Sequence, residues 1–166
     1  TTATLVMGDA LAIALLEARG FTAEDFAFSH PGGTLGRKLL LRVADIMHSG
    51  DSVPKVCPDT LLPEALLEMS RKGFGLTTVV DDQDRLLGVY TDGDLRRSID
   101  QGTDLTRTEI GLLMNTQPRL AEPNMLAAAA LKIMEDNKIT ALIVRDEQNH
   151  PQGALHMHDI LRAGII

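Results

Sequence analysis

Residues able to do chemistry fall in three short stretches. In the run GVYTDGDLRR, Gly88 to Arg97, Thr91 and Asp94 are spaced T-x-x-D. At the start of a helix, Thr91 is an N-cap and Asp94 lies near N3, a capping box with Asp in place of the usual Glu or Gln. The same geometry suits a ligand. A helix start attracts phosphate through its free N–H groups and positive potential. The Thr hydroxyl can bond a phosphate oxygen, the carboxylate can accept from the vicinal hydroxyls of a ribose, and Gly93 keeps the turn open. From the residues alone both readings stand. The second stretch, GALHMHDIL from Gly153 to Leu161, keeps the carboxylate as Asp159 but has His156 in place of the Thr. A neutral His is expected to be a poor N-cap and a poor mimic of a hydroxyl. This second site is therefore expected to be vacant, or to prefer a ligand that contacts an imidazole. His156 and His158 share a strand face at i, i+2, which raises a metal. Zinc needs three or four protein ligands, and no other His or Cys has suitable spacing, so no metal is expected. The third stretch, FAFSHPGGTLGRKLL from Phe26 to Leu40, has His30 before an irregular Pro31-Gly32-Gly33 loop. By residue type alone that His is a loop residue.

The elements that position these groups come in two copies. Shifted by 65 residues, Ala65, Leu66 and Met69 meet Ala130, Leu131 and Met134, Gly88 meets Gly153, Asp94 meets Asp159, and Arg97 meets Arg162. Upstream, Ala44–Met47 matches Gly111–Met114 at a shift of 67. Each copy reads as an extended piece (Val53–Cys57, Arg119–Ala121), a turn, an amphipathic helix, two strands and a short helix. Leu62, Ala65, Leu66 and Met69 fall on one helical stripe, as do Ala127, Ala130, Leu131 and Met134. Asp59, Thr60 and Asn124 are expected to cap these helices. The strands are Leu76–Val80 and Leu86–Tyr90, then Ala141–Arg145 and Gly153–His156, with closing helices from Asp92 and Met157. The fold class is α/β (α+β): two pseudo-symmetric β-α-β-β-α repeats that share a core, since about 60 residues bury little alone.

Bulk properties narrow the function. Hydrophobic residues make up 44% of 166, but aromatics only 3% with no Trp, so the core is aliphatic. A net charge of −7 with no basic run beyond two residues argues against a nucleic acid partner. No apolar stretch reaches the ~18 residues of a membrane span, and no signal peptide is visible. The single cysteine, Cys57, fits a reducing compartment. Leu5–Leu16, LVMGDALAIALL, is apolar nearly all round, with Arg19-Gly20 as its stop. A helix without a polar face is expected to be buried on several sides. Its surroundings are expected to lie in sequence upstream of Thr1.

The duplicated unit with G-h-h-T-x-x-D resembles a CBS-domain pair (a Bateman module). The whole chain, with SHPGGTLGRKLL, YTDGDLRR and HMHDILRAGII, is similar to the arabinose 5-phosphate isomerase family, which joins a sugar-isomerase (SIS) domain to such a pair. The resemblance implies 1–42 as the end of the SIS domain and linker, 43–104 as the first CBS repeat and 105–166 as the second. It implies that Thr91 and Asp94 hold the phosphate and ribose of a nucleotide-type ligand, with Asp159 and His156 at the second site. Asp59 and Thr60 lie where the backbone sets base selectivity. His30 would belong to the catalytic set of the whole enzyme, which interconverts D-arabinose 5-phosphate and D-ribulose 5-phosphate at the start of Kdo and lipopolysaccharide synthesis. It further implies no required cofactor, a regulatory nucleotide or CMP-sugar-type effector, a CBS dimer within a tetrameric parent, and the cytoplasm of a Gram-negative bacterium. The chain alone is expected to lack isomerase activity. The competing reading is a dimerisation module in which Thr91 and Asp94 are only a helix cap.

Overall fold

The structure, a computed structural model, describes residues 2–22, 25 and 40–165. Helix α1 (Thr2–Ala18) closes on Gly20 with φ +61°, where the Phe21 N–H bonds the Leu16 carbonyl and the Gly20 N–H bonds that of Glu17. This is a Schellman stop, open to Gly because no Cβ opposes the left-handed turn. None of its side chains is buried within the chain. It is not long and apolar enough to cross a membrane, nor is any other described helix.

From Arg42 onward the two repeats follow one plan. The first runs α2 (Val43–Ile46), β1 (His48–Ser49), β2 (Lys55–Val56), α3 (Leu62–Lys72), β3 (Leu76–Val80), β4 (Leu86–Thr91) and α4 (Asp92–Asp100). The second runs from a 3-10 turn (Ile110–Leu112) through β5 (Leu120–Ala121), α5 (Ala127–Asn137), β6 (Ala141–Arg145), β7 (Pro151–His156) and α6 (Met157–Arg162). The strands β2-β3-β4 form one sheet and β1-β7-β6-β5 the other, each with one parallel pair and a central hairpin. The strand β7 begins two residues before the expected Gly153. Pro151 pairs with Arg145 as the first residue of the strand, where its missing N–H costs little.

The helical stripes are buried as their spacing requires. Leu62, Ala65 and Met69 of α3, and Ala127, Ala130, Leu131 and Met134 of α5, enter the core while Leu66 is half-buried. The expected side-chain caps are a correction. The N-cap residues are Leu61 and Leu126, neither with a side-chain bond, and not Asp59, Thr60 or Asn124. The reason is long-range. The Leu62 N–H donates to the Thr108 carbonyl at 2.9 Å, and the Ala127 N–H to that of Leu41 at 2.8 Å. Each helix start is satisfied by backbone from the segment that leads the other repeat, so no cap is needed.

That exchange runs through the whole fold. The segment before the first repeat packs on the second. Val43 lies in the cluster of Leu131, Met134, Leu142 and Ile160, its N–H bonds the Met125 carbonyl, and β1 adds to the edge of β7. The segment before the second repeat packs on the first. Ile110 joins Leu62, Val79 and Tyr90, its N–H bonds the Thr60 carbonyl, and Asn115 bridges Val89 of β4. A third cluster mixes Phe74, Leu76, Leu86 and Val89 with Ala141, Ile143 and Ala154, so the two repeats share a core. Asn149, at φ +68°, ties them again: its backbone carbonyl accepts from the Leu86 N–H and its side-chain amide donates to the Leu86 carbonyl.

Candidate functional site

Thr91 ends β4 and caps α4. The Asp94 N–H donates to the Thr91 hydroxyl oxygen at 3.2 Å. In return Asp94 Oδ2 accepts from the Thr91 N–H at 2.9 Å and from its hydroxyl at 2.6 Å. The other oxygen, Oδ1, accepts from Arg97 Nη2 at 2.5 Å. The capping box is formed, and both oxygens of the carboxylate are already engaged within the repeat.

The second copy is built differently. His156 ends β7, and its N–H donates to Asp159 Oδ2 at 3.0 Å. Its ring Nδ1 accepts from the His158 N–H at 3.1 Å. The expectation that His156 would be a poor cap is corrected: an unprotonated Nδ1 lone pair takes the place of the hydroxyl oxygen at the helix start. Burial, then the neighbouring His158, holds the His156 imidazole below its ordinary pKa, with Asp159 opposing and His48 adding to the depression. The bond needs that unprotonated state. The second carboxylate oxygen, Asp159 Oδ1, meets His48 Nε2 at 3.1 Å. His48 comes from β1 and packs edge-on against Phe74, ring centres 5.4 Å apart. Its counterpart in the first copy, by the shift of 67, is Asn115.

A cleft of about 490 Å³ opens beside this second copy, against Asp159, His48, His156 and His158, with Arg71, Lys72 and Arg162 around it and Phe74 as an apolar wall. The sequence pointed first to Thr91 and Asp94. The cleft lies instead against the copy expected to be the weaker. Thr91 and Asp94 do not line it, and neither do Asp59 and Thr60, which sit in the turn before α3. His30 lies outside the described residues. Among the described residues no three His, Cys, Asp or Glu side chains are placed to hold a metal ion. Sequence reasoning missed His48. No local spacing links it to Asp159; only the exchange of leading segments does, and the one sequence trace is its place at the head of the repeat.

Comparison with known proteins agrees with this architecture. The chain is 60% identical over 166 residues to the arabinose 5-phosphate isomerase KdsD of Pseudomonas aeruginosa, covering 100% of this chain and 51% of the relative. It is 58% identical to that of Yersinia pestis, covering 100% and 50%. The chain thus spans about half the length of the curated relatives it matches. Among solved structures it resembles CBSX2 in complex with AMP, at TM-score 0.65 and 24% identity over 76% of this chain and 97% of that one. It also resembles the CBS domain pair of MJ0100 in complex with 5′-methylthioadenosine and S-adenosyl-L-methionine, at TM-score 0.65 and 19% identity over 74% and 94%. At those identities the likeness carries the fold. The CBS domain family matches residues 43–101 and 108–165, one match on each repeat. The chain belongs to the CBS domain family, as a tandem pair whose leading segments are exchanged.

Proposed function

We propose that this chain is the metabolite-sensing part of a longer sugar-phosphate aldose–ketose isomerase. Residues 43–104 and 105–166 form the sensing pair, and 1–42 close the catalytic domain. The observation that carries the reading is the cleft itself, where a carboxylate, an imidazole cluster and three cationic side chains converge between the repeats. Identity to isomerases over the whole chain supports the parent activity. The ligands named for the two CBS-pair structures, AMP and two adenosine derivatives, support a nucleotide-type effector; a CMP-linked sugar acid offers the same phosphate and vicinal hydroxyls. Asp94 or Asp159 accepts from such hydroxyls, and Thr91 or the basic groups receive the phosphate. In the parent, aldose–ketose exchange needs a base to move a proton between C1 and C2, and His30 belongs to that machinery. Regulation then requires the ligand to favour one arrangement of the pair over another.

The competing reading is a dimerisation module. It is favoured by the closed Thr91–Asp94–Arg97 network and by exposed Leu67, Ile99 and Leu161 on α3, α4 and α6. A thermal-shift screen with AMP, CMP, a CMP-linked sugar acid and arabinose 5-phosphate separates the two. A ligand at 100 times its Kd stabilises by about 2.7 kcal/mol. A chain whose melting point ignores all four is a scaffold. Turnover of arabinose 5-phosphate by the chain alone would refute the assignment of chemistry to the rest of the parent.

A further inference from the structure

We infer that the start of α6 is a proton-released latch: a proton on His156 Nδ1 frees the helix start from β7, while His48 keeps Asp159 and the exchanged strand β1 in place. The closing helices of the two copies begin alike and then part. In each, the first helical N–H is held by backbone. That of Asp92 donates to the Gly75 carbonyl at 3.0 Å, and that of Met157 to the Thr140 carbonyl at 2.8 Å. The next bond is made by the residue that ends the strand. In the first copy it is the Thr91 hydroxyl, indifferent to mild acid, which accepts from the Asp94 N–H. In the second it is His156 Nδ1, which accepts from the His158 N–H at 3.1 Å and can do so only while unprotonated. With a proton on it, that nitrogen is a donor facing a donor, and a cation at the positive end of the helix. The bond is then lost and the ring turns away.

The groups around the half-buried ring set the direction. From α6 come Asp159, Arg162 and His158, whose ring centre lies 4.6 Å from that of His156. From β1 comes His48, and Arg71, Lys72 and Asp51 complete the surround. Burial comes first in keeping the ring neutral, His158 second and His48 last, with Asp159 opposing them. Rings this close take up protons in coupled steps. A proton on His48 acts the other way, because an imidazolium strengthens the bond to Asp159 Oδ1, now 3.1 Å. Acid therefore opens one contact and tightens the other. The first turn of α6 loosens on a sheet edge that stays docked through the pairing of β1 with β7. In the first copy Thr91, Asp94 and Arg97 close the helix start without an imidazole, so α4 has no such latch.

Amide hydrogen exchange of the isotope-labelled chain, followed by NMR between pH ~7.5 and ~5 and corrected for intrinsic rates, tests the latch. Nitrogen shifts of the histidine rings are read alongside. The expected result is an unprotonated His156 Nδ1 at the higher pH. As that ring titrates, protection of the His158 amide and the first turn of α6 falls by about fivefold, while α4 and the β1–β7 pair keep theirs. His156→Thr makes the protection of α6 independent of pH over this range. His158→Asn keeps the backbone donor and removes the neighbouring ring, so the His156 midpoint rises. His158 is exposed, so this second variant carries the test if His156→Thr does not fold. Three results each overturn the latch: a His156 Nδ1 already protonated at pH ~7.5, a ring neutral throughout, or α6 protection that ignores its titration. Loss shared equally by α4 is general acid unfolding and overturns it too. None of these results bears on the sensing reading above, which stands or falls separately.

Discussion

Replacing Gly88 by Ala tests the packing that holds the exchanged segments together. A Cβ at Gly88 would stand 2.6 Å from the Asn115 carbonyl oxygen and 2.9 Å from the Met114 sulfur. The methionine can swing aside; the backbone carbonyl cannot. Relief to even 3.0 Å means a shift of 0.4 Å (3.0 less 2.6) between β4 and Asn115. That shift stretches both bonds joining them, now 3.0 Å from the Val89 N–H to the Asn115 carbonyl and 2.8 Å in return. Overpacking costs about 1–3 kcal/mol, and weakening two backbone bonds adds about 1 kcal/mol. The expected loss is thus about 2–4 kcal/mol, which lowers the urea midpoint by about 1–2 M at an m-value of about 2 kcal/mol/M. Gly153, its counterpart, is the internal comparison. Its Cβ would meet the Met47 sulfur at 2.5 Å but the His48 carbonyl only at 3.1 Å. Gly153→Ala is expected to cost about 1 kcal/mol, because the flexible thioether absorbs the clash. Equilibrium urea unfolding followed by far-UV circular dichroism measures both. Equal midpoints, or a greater loss at Gly153, would refute the reasoning.

Two further outcomes follow from one half-buried and one fully buried polar group. His156 has a folded pKa below its ordinary 6.5, with burial as the main cause. Its contribution to stability is therefore intact above pH ~6.5 and falls as pH drops from there through the folded value. Melting points taken between pH 8 and pH 5 should decline more steeply for the unmodified chain than for His156→Thr, which restores the first copy's cap; parallel curves would contradict this. Thr77 is fully buried on β3, and its hydroxyl has no partner among the described residues. Thr77→Val keeps the shape and removes the unpaired group, so it should stabilise by about 1 kcal/mol, read as a higher urea midpoint; destabilisation would show that the hydroxyl is bonded.

Much of the fold was legible because it rests on local periodicity. The stripes of α3 and α5, and the strands Leu76–Val80 and Ala141–Arg145, follow directly from the spacing of apolar residues. What was not legible depends on pairs far apart in sequence. The starts of α3 and α5 looked like side-chain caps because Thr108 and Leu41, their real acceptors, belong to the opposite repeat. The difference between the two copies has the same origin. Thr91 and Asp94 match the motif residue by residue, yet Arg97 closes Asp94; the poorer match at His156 gains His48 across more than a hundred residues. His156 was also undervalued as a cap, since the outcome turns on its ring remaining unprotonated in a partly desolvated corner. Thr77 stands where the second repeat has Leu142, and nothing in the sequence distinguishes an unpaired hydroxyl there from a paired one.

The most direct test is a crystal structure of the chain grown with saturating AMP. The account predicts density in the cleft beside Asp159, with ribose hydroxyls on that carboxylate and the phosphate among the basic side chains around it. An empty cleft, together with a melting point unmoved by the nucleotide and by arabinose 5-phosphate, would contradict it and leave the pair as a scaffold.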